Sequence, residues 1–227
     1  MTAANASSNF IEETVEISGP NGPLEGVLSY PELGRPERAA AIAGPHPFLG
    51  GNINNFVATT IAETGAARGW VTLRFAYAQA GRFGAAELDE FWKTGHAPSD
   101  RSCLDDLRAA VELSQELAPL KALIGYSFGC WLASLFVAAD DVRLPLALVS
   151  PTVTQHDFST LREWRGPKFV VASDNDFATP LKALEDEVEH WPEPKELQVA
   201  AGAEHFYQKQ AGAIAEDIFN WLDRTRP

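Results

Sequence analysis

Basic side chains are scarce in this chain. Its 227 residues carry 18 Lys and Arg against 31 Asp and Glu, a formal net charge of −13. No Lys/Arg cluster occurs, and the first basic residue is Arg35. Nucleic acids and anionic membrane surfaces reward basic patches, so neither is expected as a partner. No apolar run approaches the length that spans a bilayer, so no membrane insertion is expected. The N-terminal stretch has no basic region followed by an apolar one, so no secretory signal is expected. Only two cysteines occur, Cys103 and Cys130, far apart and without metal or redox spacing. They read as reduced structural thiols of a cytoplasmic protein. There is no HExxH and no clustered His/Asp set, and Gly50-Gly51 and Gly81 with Gly84 make no GxGxxG opening a helix. No metal and no cofactor is therefore expected. The 45% hydrophobic and 22% charged content is enough for a sizeable core. The length suits a frayed N-terminus over residues 1–9 and a single domain over residues 10–227.

Strand and helix patterns alternate along the chain. Residues 14–18 and 24–30 alternate apolar and polar about a Pro20-Asn21-Gly22-Pro23 turn, an antiparallel hairpin. Short apolar strands follow at 39–43, 70–75, 120–124, 144–149, 169–172 and 197–200. Helical spacing is expected over 53–67 (capped by Asn52 or Asn54), 102–117, 128–139, 181–189 and 207–225. Residues 76–101 mix glycines, aromatics and charge and give no clear pattern, and 150–166 reads as loop with a short helix. The alternation implies an α/β fold: a mostly parallel sheet with an antiparallel N-terminal hairpin and helices on both faces. Few residues separate the strand ending near Ser150 from the one starting near Lys168, so no separate cap domain fits there.

The chain is organised around Gly125-Tyr126-Ser127-Phe128-Gly129, set between an apolar strand and an apolar helix. A strand, a sharp turn and a helix with Ser at the turn form a nucleophile elbow, which lifts the hydroxyl out of the sheet edge. The two glycines avoid a Cβ where strand and helix pass closely. A serine hydroxyl needs a base oriented by a carboxylate. On such a fold the expected order is Ser, then Asp or Glu, then His, each beyond a strand end. His205 lies after the last strand and before the last helix, where the base belongs. His190 ends a helix and His46 braces a loop upstream of the serine. Beyond the 169–172 strand stand Asp174 and Asp176. Asp176, deeper in the loop, is favoured as the acid. An oxyanion needs two donors. One is the Phe128 N–H. The other comes from the loop at 46–51, where Pro47 has no N–H, so Phe48 is first choice and Leu49 second.

These residues resemble the α/β-hydrolase superfamily, and more narrowly its small, uncapped bacterial serine hydrolases and esterases. The resemblance rests on Gly44-Pro45-His46-Pro47 with Gly50-Gly51 and Asn55, on Leu73-Arg74-Phe75, on the elbow, on Asp176 and on Glu204-His205-Phe206. It implies a catalytic Ser127-Asp176-His205 triad, hydrolysis of an ester or related acyl bond, and Phe48 as oxyanion donor. Two departures stand out. Such proteins continue after Leu73-Arg74-Phe75 with Asn, an aromatic, Arg and Gly, where this chain has Ala76-Tyr77-Ala78-Gln79-Ala80-Gly81, and the following 82–101 segment is longer than usual. Phe91, Trp92 and His96 from that segment are expected as cover, with Leu49, Trp92, Trp131, Phe158 and Phe177 about the pocket. So little cover suits a small or short-chain acyl substrate. The same triad serves thioesterases, amidases and peptidases, and the fold also serves binding proteins that have lost catalysis. The natural substrate and the oligomeric state are left open.

Overall fold

A computed structural model describes residues 9–139 and 142–225. The expected frayed terminus, residues 1–9, lies outside the described residues except for Asn9. Eight strands form one sheet in the order β1-β2-β4-β3-β5-β6-β7-β8. β1 (Phe10–Gly19) and β2 (Gly22–Pro31) make the antiparallel hairpin, and β2 pairs antiparallel with β4 (Val71–Phe75). From there β3 (Ala39–Ala43), β5 (Leu120–Tyr126), β6 (Leu146–Val149), β7 (Lys168–Asn175) and β8 (Lys195–Glu204) run parallel.

The central strands are apolar on both faces because helices cover both. In β3, Ala39, Ala41 and Ala43 join one core while Ala40 and Ile42 join the other, as the two-residue strand period requires. The first core is closed by α3 (Cys103–Leu117), α4 (Phe128–Ala139) and α5 (Leu181–Glu189) through Leu107, Val111, Leu132, Val137, Leu184 and Val188. The second is closed by α1 (Phe56–Ala67) and α6 (Ala211–Arg224) through Val57, Ile61, Ile214, Ile218 and Phe219. Each such side chain contributes about 1.5–3 kcal/mol by leaving water.

The register brings the chemistry to one edge. Ala43 at the end of β3 pairs with Gly125 near the end of β5, so the 44–51 loop and the elbow emerge side by side. The Ser127 N–H donates to Val149 O at 2.8 Å, tying the elbow to β6. At the end of β7 the pairing shifts by two residues, so that Asn175 meets Glu204 of β8 rather than Gly202. That shift sets Asp176 beside His205.

Several expectations need correcting. Helix α1 starts at Phe56 and is capped by Asn55, whose Oδ1 accepts the Ala58 N–H at 3.1 Å. Neither Asn52 nor Asn54 caps it. The 76–101 segment contains a helix, α2 (Ala85–Thr94), started by a Gly84 N–H bond to Glu87 Oε2 and ended by a left-handed Gly95. The closing helix begins at Ala211, because Tyr207 takes a positive φ of 48° in the turn before it. Phe158 is core rather than pocket, buried against Trp191. At the opposite end of the sheet a cavity of about 450 Å³ opens between Arg35, Arg38, Arg68, Trp70 and Lys121, remote from the elbow.

Candidate active site

Ser127 sits between β5 and α4 with φ at 56°, a left-handed conformation that costs a non-glycine residue roughly 1–3 kcal/mol. Close packing enforces it. A Cβ on Gly125 would stand 2.7 Å from Cys130 Cα, and one on Gly129 would stand 2.0 Å from Ala43 O. The elbow therefore closes only with glycine at both places. Ser127 is 8% exposed. The Phe128 N–H heads α4 and has no acceptor among the described residues, so it points its dipole into the site.

His205 Nε2 lies 3.0 Å from Ser127 Oγ, and His205 Nδ1 lies 2.9 and 2.8 Å from the two oxygens of Asp176. The elbow, the β7 loop and the β8 loop thus bring together the three side chains singled out in the sequence. The Asp176 side chain is only 3% exposed. Burial alone would raise its pKa. Bonds from His205, the Ser150 hydroxyl and the Ala178 N–H outweigh burial and hold the carboxyl below its ordinary value. Asp174 does other work, accepting the Gly202 N–H at 2.8 and 3.0 Å. His190 bonds back onto its own helix at Asp186 O.

Supporting residues escaped the sequence reading. Tyr126 Oη donates to His205 O at 3.0 Å and fixes the base's backbone. Ser150, with φ at 48°, lies 2.7 Å from Tyr207 Oη. A polar residue just past a strand end was the available signal for Ser150.

The loop after β3 differs from expectation in one respect. His46 Nε2 pairs with the buried Asp100 Oδ1 at 2.8 Å, and His46 Nδ1 accepts the Phe48 N–H at 3.1 Å. The Leu49 N–H is used on His46 O. Both amides considered for the oxyanion are therefore engaged, and only Phe128 offers a free one. His46 braces this loop as expected, stacked on Phe91 at 4.4 Å and edge-on to Phe128 at 4.7 Å. Phe91 is thus buried beneath the loop rather than covering the site.

Phe177 is exposed with its ring 4.9 Å from His205, and Phe206 is exposed beside it. Leu49 is exposed on the loop after β3. Trp92 is exposed, packing edge-on to Phe91, while Trp131 is buried against Phe128 and His156. One depression touches the elbow at Tyr126 and another reaches α4 at Trp131. The first, of about 420 Å³, is lined by Asn55, Phe56, Tyr126 and Phe206, and the other, of about 470 Å³, by His96, Asp100, Trp131 and His156. The second corrects the expectation that no His/Asp set clusters, since His96, Asp100 and His156 come together there. Cys103 and Cys130 are free and buried, and burial pushes both thiols far above their ordinary pKa.

Comparison with known proteins places this architecture. The chain has the α/β-hydrolase fold and is similar to small serine hydrolases without a lid. An α/β serine hydrolase without a lid from Xanthomonas campestris superposes with a TM-score of 0.78 at 23% identity, covering 95% of both chains. An α/β serine hydrolase homologue from Coxiella burnetii gives 0.78 at 26% identity, covering 92% of this chain and 97% of the other. Among curated proteins, an uncharacterised protein of Rickettsia prowazekii is 24% identical over 220 residues, 92% of this chain and 87% of its own. No family model matches the sequence. These likenesses support a hydrolase. No described helix is long and apolar enough to cross a membrane.

Proposed function

We propose that this protein is a serine hydrolase that cleaves esters of small or short-chain acyl groups through an acyl-enzyme. The reading is carried by the continuous bonded chain from Ser127 Oγ through His205 to the buried Asp176. His205 takes the serine proton as Oγ attacks the ester carbonyl, then returns it to the leaving alcohol. The same imidazole next activates water against the acyl-enzyme. Asp176 stays ionised, keeps the Nδ1 proton in place and stabilises the imidazolium. The Phe128 N–H receives the oxyanion. The Phe48 N–H joins it by exchanging its bond to His46 Nδ1.

An ester substrate of modest size suits the site, because an open depression touches the elbow at Tyr126, with the exposed rings of Phe177 and Phe206 beside His205. The reading keeps one catalytic domain and a cytoplasmic setting, the latter supported by two buried free thiols. The test is release of p-nitrophenol from acetyl, butyryl and octanoyl esters by wild type and Ser127→Ala. Turnover should fall by several orders of magnitude in the variant and favour the shorter acyl groups in the wild type. Equal rates in the two proteins would end the proposal.

A further inference from the structure

We propose that His96, Asp100 and His156 form a binding site for a divalent transition-metal ion of the zinc class. One nitrogen from each imidazole and one carboxylate oxygen lie within 4.8 Å of one another. Ligand atoms about 2 Å from a tetrahedral zinc stand roughly 3.3 Å apart, so the site closes by a movement of up to about 1.5 Å. His96 can supply it, being exposed, with its Nδ1 already 3.7 Å from Asp100 Oδ2.

His156 carries the strongest indication. Its Nδ1 lies 2.9 Å from Thr152 Oγ1, while its Nε2 is buried with no hydrogen-bond partner among the described residues. With the proton on Nδ1 and donated to Thr152, Nε2 is left with a bare lone pair. A buried polar atom without a partner is uncommon in a native interior, and a metal ion satisfies it. The surroundings match an outer shell. Asp100 Oδ1 is bonded to His46 Nε2 at 2.8 Å, and Asp100 Oδ2 accepts the Ala97 N–H at 2.9 Å. Two imidazoles and one carboxylate suit zinc better than calcium or magnesium, which take oxygen ligands. The adjoining depression of about 470 Å³ leaves a fourth position open to water or a small ligand. The ion would tie the segment after α2 to the loop after β6.

The site does not use Ser127, so its test is separate from that of the hydrolase reading. Full-length protein, stripped with EDTA and dialysed, is titrated with ZnCl₂ by calorimetry and with CoCl₂ by visible absorption. One ion per chain is expected, with the intense d–d bands of a four- or five-coordinate cobalt site. Ser127→Ala should bind as wild type does. His96→Gln, exposed and therefore harmless to folding, and His156→Gln should each weaken binding by about a hundredfold, at or beyond the loss that follows removal of an outer partner. His190→Gln should leave binding unchanged. Absence of stoichiometric binding by wild type overturns the proposal. So does unchanged affinity in either His96→Gln or His156→Gln.

Discussion

Replacing Asp176 by Asn changes one atom and should disable the site while leaving its shape intact. Asp176 Oδ1 accepts the Ala178 and Thr179 N–H groups at 2.7 and 3.2 Å. An Asn carbonyl must occupy that position, because an amide NH₂ there would face two donors. The NH₂ then falls where Oδ2 was, 2.8 Å from His205 Nδ1. It can only donate, which favours Nδ1 as the acceptor with the imidazole proton on Nε2, against the 2.9 Å contact Nδ1 keeps with the Oδ1 already taken by two N–H groups. That proton faces Ser127 Oγ at 3.0 Å, and the lone pair that should receive the serine proton is gone. A serine hydrolase held in the wrong tautomer loses about 10⁴ in kcat, equivalent to about 5.5 kcal/mol. The measurement is kcat for p-nitrophenyl acetate with Asp176→Asn, Asp174→Asn and wild type, with melting curves to show that all are folded. Asp174→Asn should stay within a few-fold, since among the described residues that side chain bonds only the Gly202 N–H. The fold lowers the pKa of Asp176, so its carboxylate stabilises the protein above the ordinary carboxylate range and loses that contribution as pH falls through its lowered value. Asp176→Asn should therefore flatten the acid side of the stability profile. Activity of Asp176→Asn within tenfold of wild type would refute the assignment of the acid.

Two further perturbations test the frame. Gly129→Ala forces a Cβ to within 2.0 Å of Ala43 O and should cost about 3 kcal/mol or more in a urea melt, along with most of the activity. Gly212→Ala, with nothing within 4 Å, should instead stabilise α6 by up to about 1 kcal/mol, so similar effects from the two would discredit the packing account of the elbow. Lys168, buried and donating to Trp164 O and Gly166 O, is pushed by burial down to about 8. Its charge is a burden on the fold below that pH, relieved as the folded amine deprotonates between about 8 and its ordinary 10.5. Wild type should gain on Lys168→Met by at most about 3 kcal/mol across that window in urea melts, and a pH-independent difference would contradict it.

Fold and site were legible where a local rule had a single solution. Strand 39–43 and helices 128–139 and 181–189 have the observed bounds because apolar runs stop abruptly at Gly, Pro or charge. The elbow, the acid and the base could be ordered because each follows a different strand end. Helix α2 was missed because only Phe91 of its residues is buried, so no apolar stripe recurs along it. Its signals were the punctuating Gly84 and Gly95 and the Glu87 cap. The α1 cap was misassigned among three asparagines within four positions. Asn52 is spent on the Asn54 N–H at 2.9 Å, which leaves Asn55 to face the helix. No spacing rule connects His96 and Asp100 to His156, which meet only because the α2 segment packs beside the loop after β6.

The two oxyanion donors of the proposed mechanism are unequal, and the reason lies in the tautomer of His46. Its Nε2–H is claimed by Asp100, so Nδ1 is the acceptor that holds the Phe48 N–H. Before reaction that bond rivals one to a neutral ester carbonyl, and the Phe48 amide gains nothing by turning. An alkoxide is different, because a bond to a charged acceptor is roughly twice as strong. Only as charge develops does turning become favourable, which is the differential binding that lowers a barrier. Yet the exchange strands the buried His46 Nδ1, at about 1–3 kcal/mol. An oxyanion donor is worth about 2.7–4 kcal/mol, so the net return from Phe48 is near 1 kcal/mol. The Phe128 amide has no bond to surrender. It carries the larger share of the stabilisation, and this asymmetry follows from the two residues, His46 and Asp100, that clamp one wall of the site.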